Sequence, residues 1–433
     1  MGSGHMADPV LRLGGPLGAV ASAHRVRTDG WLPPRYEIYA AYTGNPSAVA
    51  GPYDRRARAG YGTGRAYGEP GRARLLAVSE ALERYASLMA DPRRIVRSPA
   101  SALGSAALDL DRVPRCSVAE LRRPGCPVSQ ASKDDEIRWV AGIDLHSGAD
   151  VLLPAVMVYL QPPQLPGERF WLPVSTGCAG HVAAESAVLN AILEVIERDA
   201  LAITWLQRIP LPRLADQCLS PTSAELIEWC GRHGITTYLF DATTDLGIPV
   251  VYCLQTTDHT LSAAQLVSCA CDFDAAQAAE HAIMETMGIR FGVQRTRTVP
   301  RRYAGFSSVN DGAVMMGRRQ RRAAFGFLLD GVGGRPVTTP PASSAGTDLE
   351  RLSIAVSRLS ALGMSAYAAD LSTREMEGTG YSAVRVIIPE AQPMSARPLA
   401  QYRGHPRLAE APVRMGFTAR RARDLNPYPQ PMA

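Results

Sequence analysis

The sequence has very little lysine: Lys133 is the only one, so arginine carries nearly all of the positive charge. The formal net charge is +5, yet no basic stripe interleaved with aromatic residues runs along the chain. Nucleic-acid-binding surfaces combine clustered positive charge with a recognisable binding motif. We therefore expect no nucleic-acid partner, interpret the arginine content as a coding bias, and predict that the basic run 318–322 is solvated surface.

Other features are also missing from the sequence. No Cys-x-x-Cys pair occurs among the eight cysteines, which argues against a structural zinc knuckle. No run approaches the roughly 20 apolar residues that a membrane-spanning helix needs, and no signal peptide is visible. These absences predict a reduced, cytoplasmic protein that does not contact a membrane.

The length and composition fit a large globular protein. The chain has 433 residues, of which 46% are hydrophobic and 20% charged. Residues 1–6 resemble a cloning remnant and are left out of the fold prediction. We predict that residues 7–59 form an extended N-terminal segment that contacts a partner, and that residues 60–433 form the main domain, with a proline-rich tail at 426–433.

A short pattern, Glu-x-x-Glu-Arg, occurs twice. The copies are Glu80, Glu83 and Arg84, and then Glu194, Glu197 and Arg198. Each copy lies in an apolar, helix-forming segment, where residues three and four apart share a face. Carboxylates brought close together are costly unless a cation neutralises them, and a magnesium–nucleotide complex is the simplest ligand that does so.

Apolar periodicity predicts a mixed chain of class α/β (α+β), in which long helices alternate with strands. A glycine-rich loop at 60–71 leads into the first motif helix. Helices are predicted over 72–89, 184–206, 223–231, 275–290 and 349–362, and strands over 137–145, 151–160, 236–239, 250–255, 265–271, 365–370 and 383–388. The segment 297–346 is basic and then rich in Gly, Pro and Ser, and is predicted to include a mobile surface insertion.

The order of these features resembles the YcaO family of ATP-dependent amide-activating enzymes, from about Gly60 to the C-terminus. The most specific part is the Ser-Thr-Gly turn at 175–177 followed by the second motif copy. The segments 370–373 and 384–389 resemble the C-terminal half of the family. The alternating Pro427, Pro429 and Pro431 resemble the tail of azoline-forming members, and such a stiff tail can thread into a cleft at low entropic cost.

The resemblance implies a YcaO-like fold of mixed sheets and long helices that line an ATP site, with ATP and Mg2+ as cofactors. It implies a cyclodehydratase that acts on a ribosomal precursor peptide. A Cys, Ser or Thr side chain attacks the preceding carbonyl carbon, the resulting oxyanion is phosphorylated, and loss of phosphate leaves a thiazoline or oxazoline. Phosphorylation converts a poor leaving group, the amide oxygen, into a good one.

The resemblance also implies roles for individual residues. The nucleotide-site residues are Arg74, Glu80, Glu83, Arg84, Ser175, Glu194, Glu197, Arg198, Glu285 and Arg290. Four of them, Glu83, Glu194, Glu197 and Glu285, are the expected Mg2+ ligands. The arginines are expected to contact phosphate or to position the carboxylates. Pro431 and Ala433 of the tail are assigned to the catalytic centre.

The sequence departs from the family pattern at four positions. Arg65 stands where a lysine is common, Ser186 where a glutamate is common, and Gly288 where a glutamine is common. The last residue is Ala433 rather than a further proline. The substitution of Ser186 removes one expected carboxylate just before the second motif copy.

The expected partners are a precursor peptide, a second copy in a homodimer, and a separate leader-binding protein of the E1-like or ocin-ThiF-like kind. The separate protein is expected because no leader-binding domain is visible before Gly60. Two other functions remain open. One is a related YcaO activity, thioamide or amidine formation, which the proline-rich tail disfavours. The other is a degenerate, non-catalytic scaffold that binds peptide or a partner, which Arg65 and Ser186 favour.

Overall fold

A computed structural model describes residues 10, 13–14, 19–44, 60–161, 165–296, 298–339 and 346–432. The predicted remnant 1–6 and the final residue, Ala433, lie outside these residues. The chain divides into two compact units. The first consists of residues 1–113, 131–195 and 345–389, and the second of residues 114–130, 196–344 and 390–433.

The strands of the described residues are β1 (Val20–Arg25), β2 (Tyr36–Thr43), β3 (Tyr61–Tyr67), β4 (Val96–Pro99), β5 (Glu136–Asp144), β6 (Asp150–Pro154), β7 (Cys178–His181), β8 (Ile235–Asp241), β9 (Val250–Thr257), β10 (Gln265–Cys271), β11 (Tyr367–Asp370) and β12 (Ser382–Ile387). The helices are α1 (Arg72–Leu88), α2 (Ala100–Leu103), α3 (Val118–Leu121), α4 (Ala155–Val158), α5 (Ala184–Gln207), α6 (Pro221–Arg232), α7 (Ala275–Arg295), α8 (Val309–Met316), α9 (Gly326–Leu329), α10 (Asp348–Ala361) and α11 (Arg407–Arg414).

The first unit contains two antiparallel sheets. One has the order β1-β2-β3, and α1 packs against it. The other has the order β4-β5-β11-β12-β7, with β6 paired to β5. In the second unit, an antiparallel sheet of order β10-β9-β8 packs against α7, and α6 packs on β8 and α7. The division between the units falls within α5, between Val195 and Ile196.

The predicted mixed α+β class is confirmed, and the long helices lie close to their predicted positions. The predicted helix 184–206 is α5, and the predicted strand 265–271 is β10 with the same bounds. Both segments are strongly apolar over most of their length, which makes them the easiest to predict. Within the part of the chain that the structure describes, no helix is both long enough and apolar enough to cross a membrane.

The predicted glycine-rich loop is wrong, because most of it is strand β3. Gly62 and Gly64 point toward α1, and a Cβ on Gly64 would lie 1.8 Å from the carbonyl oxygen of Ala73. A Cβ on Gly62 would lie 2.3 Å from the backbone nitrogen of Ala81. Glycine is therefore required because the strand and the helix backbones nearly touch.

Two other segments differ from the prediction. The predicted strand 151–160 ends at Pro154, which has no N–H to continue a ladder, and a buried helical turn, α4, follows. The predicted insertion 297–346 contains α8 and α9, and Ala313 of α8 packs in a core cluster with Leu266 and Ile289. An apolar run alone does not separate a strand from a buried helix.

The basic run 318–322 is only partly solvated surface. Arg318 and Arg319 are exposed as predicted. Arg322, however, donates from Nη2 to the carbonyl oxygen of Thr257 at 2.6 Å, and from Nη1 to Asp258. Arg322 therefore stabilises the end of β9 through hydrogen bonds, and the charge pattern alone does not predict this role.

Candidate nucleotide and metal site

The first motif copy lies on α1, beside the helix face that packs on the sheet. The helix starts after Gly71, whose φ of 82° suits glycine, and it buries Val78, Leu82 and Tyr85. This burial leaves the motif side chains on an adjoining, half-buried side. The apolar spacing that predicted the helix therefore also sets the direction of the motif.

Arg84 links the two carboxylates of its own motif. Its Nη2 donates to Glu80 Oε1 at 3.2 Å, and its Nη1 donates to Glu83. Glu80 also accepts a hydrogen bond from the backbone N–H of Thr63 at 2.7 Å, which ties α1 to β3. Although burial opposes it, the charges of Glu83 and Glu80 raise the pKa of Arg84, so this guanidinium stays charged.

Glu83 has a strongly perturbed pKa. Burial, together with the charges of Glu194 and Glu80, raises its pKa to about 8, although the charges of Arg84 and Arg385 oppose the rise. Its side chain is 13% exposed. Glu80, Glu83 and Glu194 therefore lie within electrostatic reach of one another in the first unit, and the arginines offset the cost only in part.

Glu194 is oriented by the Ser-Thr-Gly turn. Its Oε2 accepts a hydrogen bond from the N–H of Gly177 at 2.9 Å. Gly177 has a φ of 85°, and a Cβ there would lie 2.3 Å from the carbonyl oxygen of Val386. Ser175 begins this turn, where its carbonyl accepts from Cys178 N. The predicted Ser-Thr-Gly turn thus orients the Glu194 carboxylate and also hydrogen-bonds to the backbone of β12.

Arg385 of β12 is a residue of the site that the sequence analysis did not assign. It is 3% exposed, and its Nη1 donates to the carbonyl of Val174 at 2.7 Å and to Cys178 Sγ at 3.1 Å. Its Nε is buried without a hydrogen-bond partner among the described residues. An arginine between valines in a strand pattern was the signal that could have identified it, because a buried charge needs a partner.

The second motif copy ends in the second unit. There, Arg198 Nε lies 3.2 Å from Glu197 Oε1, with both side chains about 15% exposed. Burial raises the pKa of Cys269 on β10; the charges of Glu197 and Glu285 contribute to that rise, and Arg198 opposes it. The structure therefore brings Glu197, Arg198 and Glu285 around one buried thiol.

Two predicted nucleotide-site residues, Arg290 and Arg74, make none of the contacts described above for the motif carboxylates. Arg290 is buried, and it donates to the side chain of Gln255 and to the carbonyl of Ala263 at 2.5 Å. Burial lowers its pKa to about 10. Arg74 lies exposed near the start of α1. The hydrogen bonds of Arg290 anchor β9, so its predicted phosphate contact remains a prediction.

Asp199, which directly follows the second motif, forms a buried ion-pair network. Arg407 donates to Asp199 Oδ2 at 2.7 Å and also pairs with Asp245. Asp199 accepts a further hydrogen bond from the N–H of Gln392. This network joins α5 to α11, and the sequence analysis missed it because the partners are about 200 residues apart.

Most of the described proline-rich tail is buried within the second unit, although Pro427 is exposed. Trp205 Nε1 donates to the carbonyl of Tyr428 at 3.3 Å, and Asn426 N donates to the carbonyl of Leu206 at 2.8 Å. Pro431 is buried too, while Ala433 lies outside the described residues. The catalytic role assigned to these two residues remains a prediction.

The departure at Ser186 is accompanied by a carboxylate from another helix. Ser186 Oγ donates to Asp348 Oδ2, the first residue of α10, at 2.6 Å. The position that lacks the glutamate of the family pattern is thus still in contact with an acidic side chain. Arg65 lies on β3, opposite Ile38.

The carboxylates suit a hard cation, because Mg2+ prefers oxygen ligands and is usually bound by one or two carboxylates together with substrate phosphates. Within the described residues, no three His, Cys, Asp or Glu side chains converge into a preformed metal-binding group. The half-buried Glu83 and Glu194 nevertheless fit such an ion, since its charge would offset the unfavourable interaction between them.

Comparisons with known proteins identify the family and the fold. A family model described as YcaO cyclodehydratase, ATP- and Mg2+-binding, matches residues 63–392, which is more than half of the chain. A curated relative, described as an uncharacterized protein in the tfuA 3′ region of Rhizobium leguminosarum bv. trifolii, is 33% identical over 154 residues. That match covers 34% of this chain and 33% of the relative.

Solved structures share the fold. A heterocyclase in complex with substrate and cofactor matches 99% of this chain and 58% of its own length, with a TM-score of 0.82 and 19% identity. YcaO from Methanopyrus kandleri bound with AMPPCP and Mg2+ matches 86% of this chain and 86% of its own length, with a TM-score of 0.60 and 18% identity. The E. coli microcin synthetase McbBCD complex matches 87% of this chain and 90% of its own, with a TM-score of 0.56 and 14% identity. The chain thus spans less than two thirds of the first heterocyclase.

Proposed function

Since the chain belongs to the YcaO family of ATP- and Mg2+-binding cyclodehydratases, we propose that it forms thiazoline or oxazoline rings in a ribosomal precursor peptide. The side-chain sulfur or oxygen of a Cys, Ser or Thr adds to the preceding carbonyl carbon. The former carbonyl oxygen takes the γ-phosphoryl group of ATP and leaves as phosphate. The peptide loses the elements of one water, and ATP becomes ADP and phosphate.

The carboxylate cluster on α1 and α5 is the observation that carries this proposal. Glu83 and Glu194 lie within electrostatic reach in a half-buried setting, and the pKa of Glu83 is raised to about 8. Such a cluster is unfavourable without a cation. The proposed Mg2+ ligands are Glu83 and Glu194 in the first unit and Glu197 and Glu285 in the second, and bound metal would neutralise phosphate charge during transfer.

The arginines have a complementary role in the proposal. Arg84 holds Glu80 and Glu83 through its two terminal nitrogens, and Arg198 pairs with Glu197. Phosphoryl transfer depends on positioning and charge neutralisation rather than covalent help. Guanidinium groups orient carboxylates and phosphate oxygens because their donors form a rigid fork. We place the reaction in the cytoplasm, in keeping with eight free cysteines.

A separate leader-binding protein of the E1-like or ocin-ThiF-like kind is proposed as the partner that delivers the peptide. The McbBCD structure is a complex of several proteins, which supports a multi-protein assembly here. The N-terminal segment 7–59 is proposed as its contact region. Within this segment, β1 and β2 form one sheet with β3, whose other neighbour is α1.

The test combines the purified chain with its partner, a precursor peptide, ATP and Mg2+. We expect phosphate release and the mass loss of one water for each ring. Glu197→Gln should abolish phosphate release without unfolding the chain, whereas Glu228→Gln, an exposed helix glutamate paired with Arg232, should leave it unchanged. Replacement of oxygen by sulfur in the product would indicate thioamide formation instead. No nucleotide binding in calorimetry would contradict both enzyme activities.

A further inference from the structure

Arg198 lies between two methionine sulfurs in the second unit. Its Nη1 is 3.0 Å from Met432 Sδ and 3.9 Å from Met394 Sδ. Met432 is fully buried, and Met394 is 6% exposed. A thioether is a weak hydrogen-bond acceptor, but its dipole acts more strongly on a charged donor where water is scarce. Both sulfurs lie within hydrogen-bonding range of Nη1, but Met432 Sδ is the closer of the two, so the two sulfurs are not equivalent.

The tail places Met432 at this position through a series of anchors. Asn426 N donates to the carbonyl of Leu206, and the carbonyl of Tyr428 accepts from Trp205 Nε1. The carbonyl of Gln430 then approaches Gly312 so closely that a Cβ there would lie 2.1 Å from it. Prolines in this segment fix the backbone φ between the anchors. The register of the tail is therefore set before the chain reaches Met432.

We propose that Met432 is a positioning residue for Arg198. Its sulfur accepts a hydrogen bond from Nη1, while Glu197 lies beside Nε, so the guanidinium is fixed from two sides. Because Arg198 is assigned to the nucleotide phosphates, the inference rests on the proposed function. The Met432–Arg198 contact would couple the docking of the tail to the affinity for nucleotide.

The test compares three variants of the full chain. Met432→Leu keeps an apolar side chain of similar size but removes the acceptor. Met432→Gln has a similar length and restores an acceptor oxygen. Met394→Leu is the matched control, because its sulfur lies farther from the same nitrogen. Binding of AMPPCP with Mg2+ is measured by calorimetry, and the midpoint of thermal unfolding is measured in parallel.

We expect Met432→Leu to weaken nucleotide binding about 5-fold, in the range of a lost hydrogen bond. Met432→Gln should bind closer to wild type than Met432→Leu does, and Met394→Leu should match wild type. The midpoint of thermal unfolding should be lower for Met432→Gln than for Met432→Leu, since burying an amide costs more than burying a leucine side chain. A residue that only fills space would make the glutamine variant worse in both measurements, and that result would overturn the proposal.

A second readout does not require nucleotide. The methyl resonance of Met432 in a chain labelled with 13C-methyl methionine should shift on Arg198→Lys, more than the resonance of Met394 does. An unchanged Met432 resonance would refute the contact. If the resonance shifts but the wild-type chain binds no AMPPCP, the positioning contact is supported and the proposed nucleotide function fails. The two failures are therefore distinguishable.

Discussion

Glu83 combines a helical position set by apolar spacing with a strongly raised pKa. Because burial and neighbouring carboxylates raise its pKa to about 8, the ligand-free chain loses little when this carboxylate is neutral. Glu83→Gln imitates that protonated form. We expect the free energy of unfolding to change by no more than about 1 kcal/mol, because the amide oxygen can still accept from Arg84. Affinity for Mg2+ with AMPPCP should fall more than about tenfold, because a metal ligand is lost.

The measurements are chemical denaturation and calorimetric binding on the same samples. Glu228→Gln on α6 is the control, since this glutamate is 69% exposed and forms only an i,i+4 pair with Arg232. Unchanged nucleotide affinity in Glu83→Gln would remove Glu83 from the metal site.

Gly64 gives a second prediction at the residue scale. A Cβ added to it would lie 1.8 Å from the carbonyl oxygen of Ala73 and 2.5 Å from Ala77 N, both backbone atoms that cannot move alone. Gly64→Ala should therefore destabilise the chain by about 3 kcal/mol, as overpacking does. The control Gly44→Ala, where nothing lies within 4 Å, should have little effect. Equal denaturation midpoints for the two variants would contradict the close approach of β3 and α1.

The sequence predicted individual carboxylates better than their partners. The Glu-x-x-Glu-Arg pattern identified Glu83 and Arg84 because both lie within one helix, where spacing determines proximity. It could not identify Arg385 or Met432, since their contacts join segments more than 190 residues apart. Contacts between distant segments depend on sheet order, which local patterns do not contain.

At the scale of elements, the sequence predicted the helices well and misassigned β3. A helix such as α5 has many apolar positions at a consistent spacing, so its type is clear. The segment that forms β3 contains several glycines, which normally indicate a loop. Here glycine allows α1 to approach, and only the packed structure shows that reason.

The segment at the start of α11 gives a prediction for pH. Burial lowers the pKa of His405 to about 4; Asp199 acts to raise it, and Arg115 and Arg407 act to lower it. This pKa in the folded chain lies below the value of about 6.5 in the unfolded chain. Between these two pH values, the unfolded chain therefore binds more protons than the folded chain does. The contribution of His405 to the free energy of unfolding is therefore fully present above about pH 6.5. It is lost as the pH falls through 4, and it amounts to at most about 3 kcal/mol.

Replacing His405 with Phe should remove this contribution to the pH dependence. The free energy of unfolding, measured by denaturation between pH 4 and 7, should change less with pH in His405→Phe than in wild type. The control is His146→Gln, because His146 is exposed in the turn between β5 and β6. If the slope of stability against pH is the same in His405→Phe and wild type, His405 is not the titrating group.

At the scale of the whole molecule, each compact unit is assembled from three separate stretches of chain. The sequence predicted one main domain over residues 60–433. The first unit gains β11 and β12 from residues 345–389, next to strands that precede them by more than 180 residues. Such an arrangement follows from long-range strand pairing, which a pass along the chain cannot detect.

Ligand binding should stabilise the whole chain by mass action. A ligand that binds only the folded state adds about 2.7 kcal/mol when present at 100 times its Kd. AMPPCP with Mg2+ should therefore raise the midpoint of thermal unfolding of wild type, and a chelator should remove most of that rise, because the proposed carboxylate ligands bind nucleotide through the metal. Glu197→Gln should show a smaller rise than Glu228→Gln at the same ligand concentration. A rise that persists in chelator would show that nucleotide binding does not depend on the carboxylates of α1 and α5.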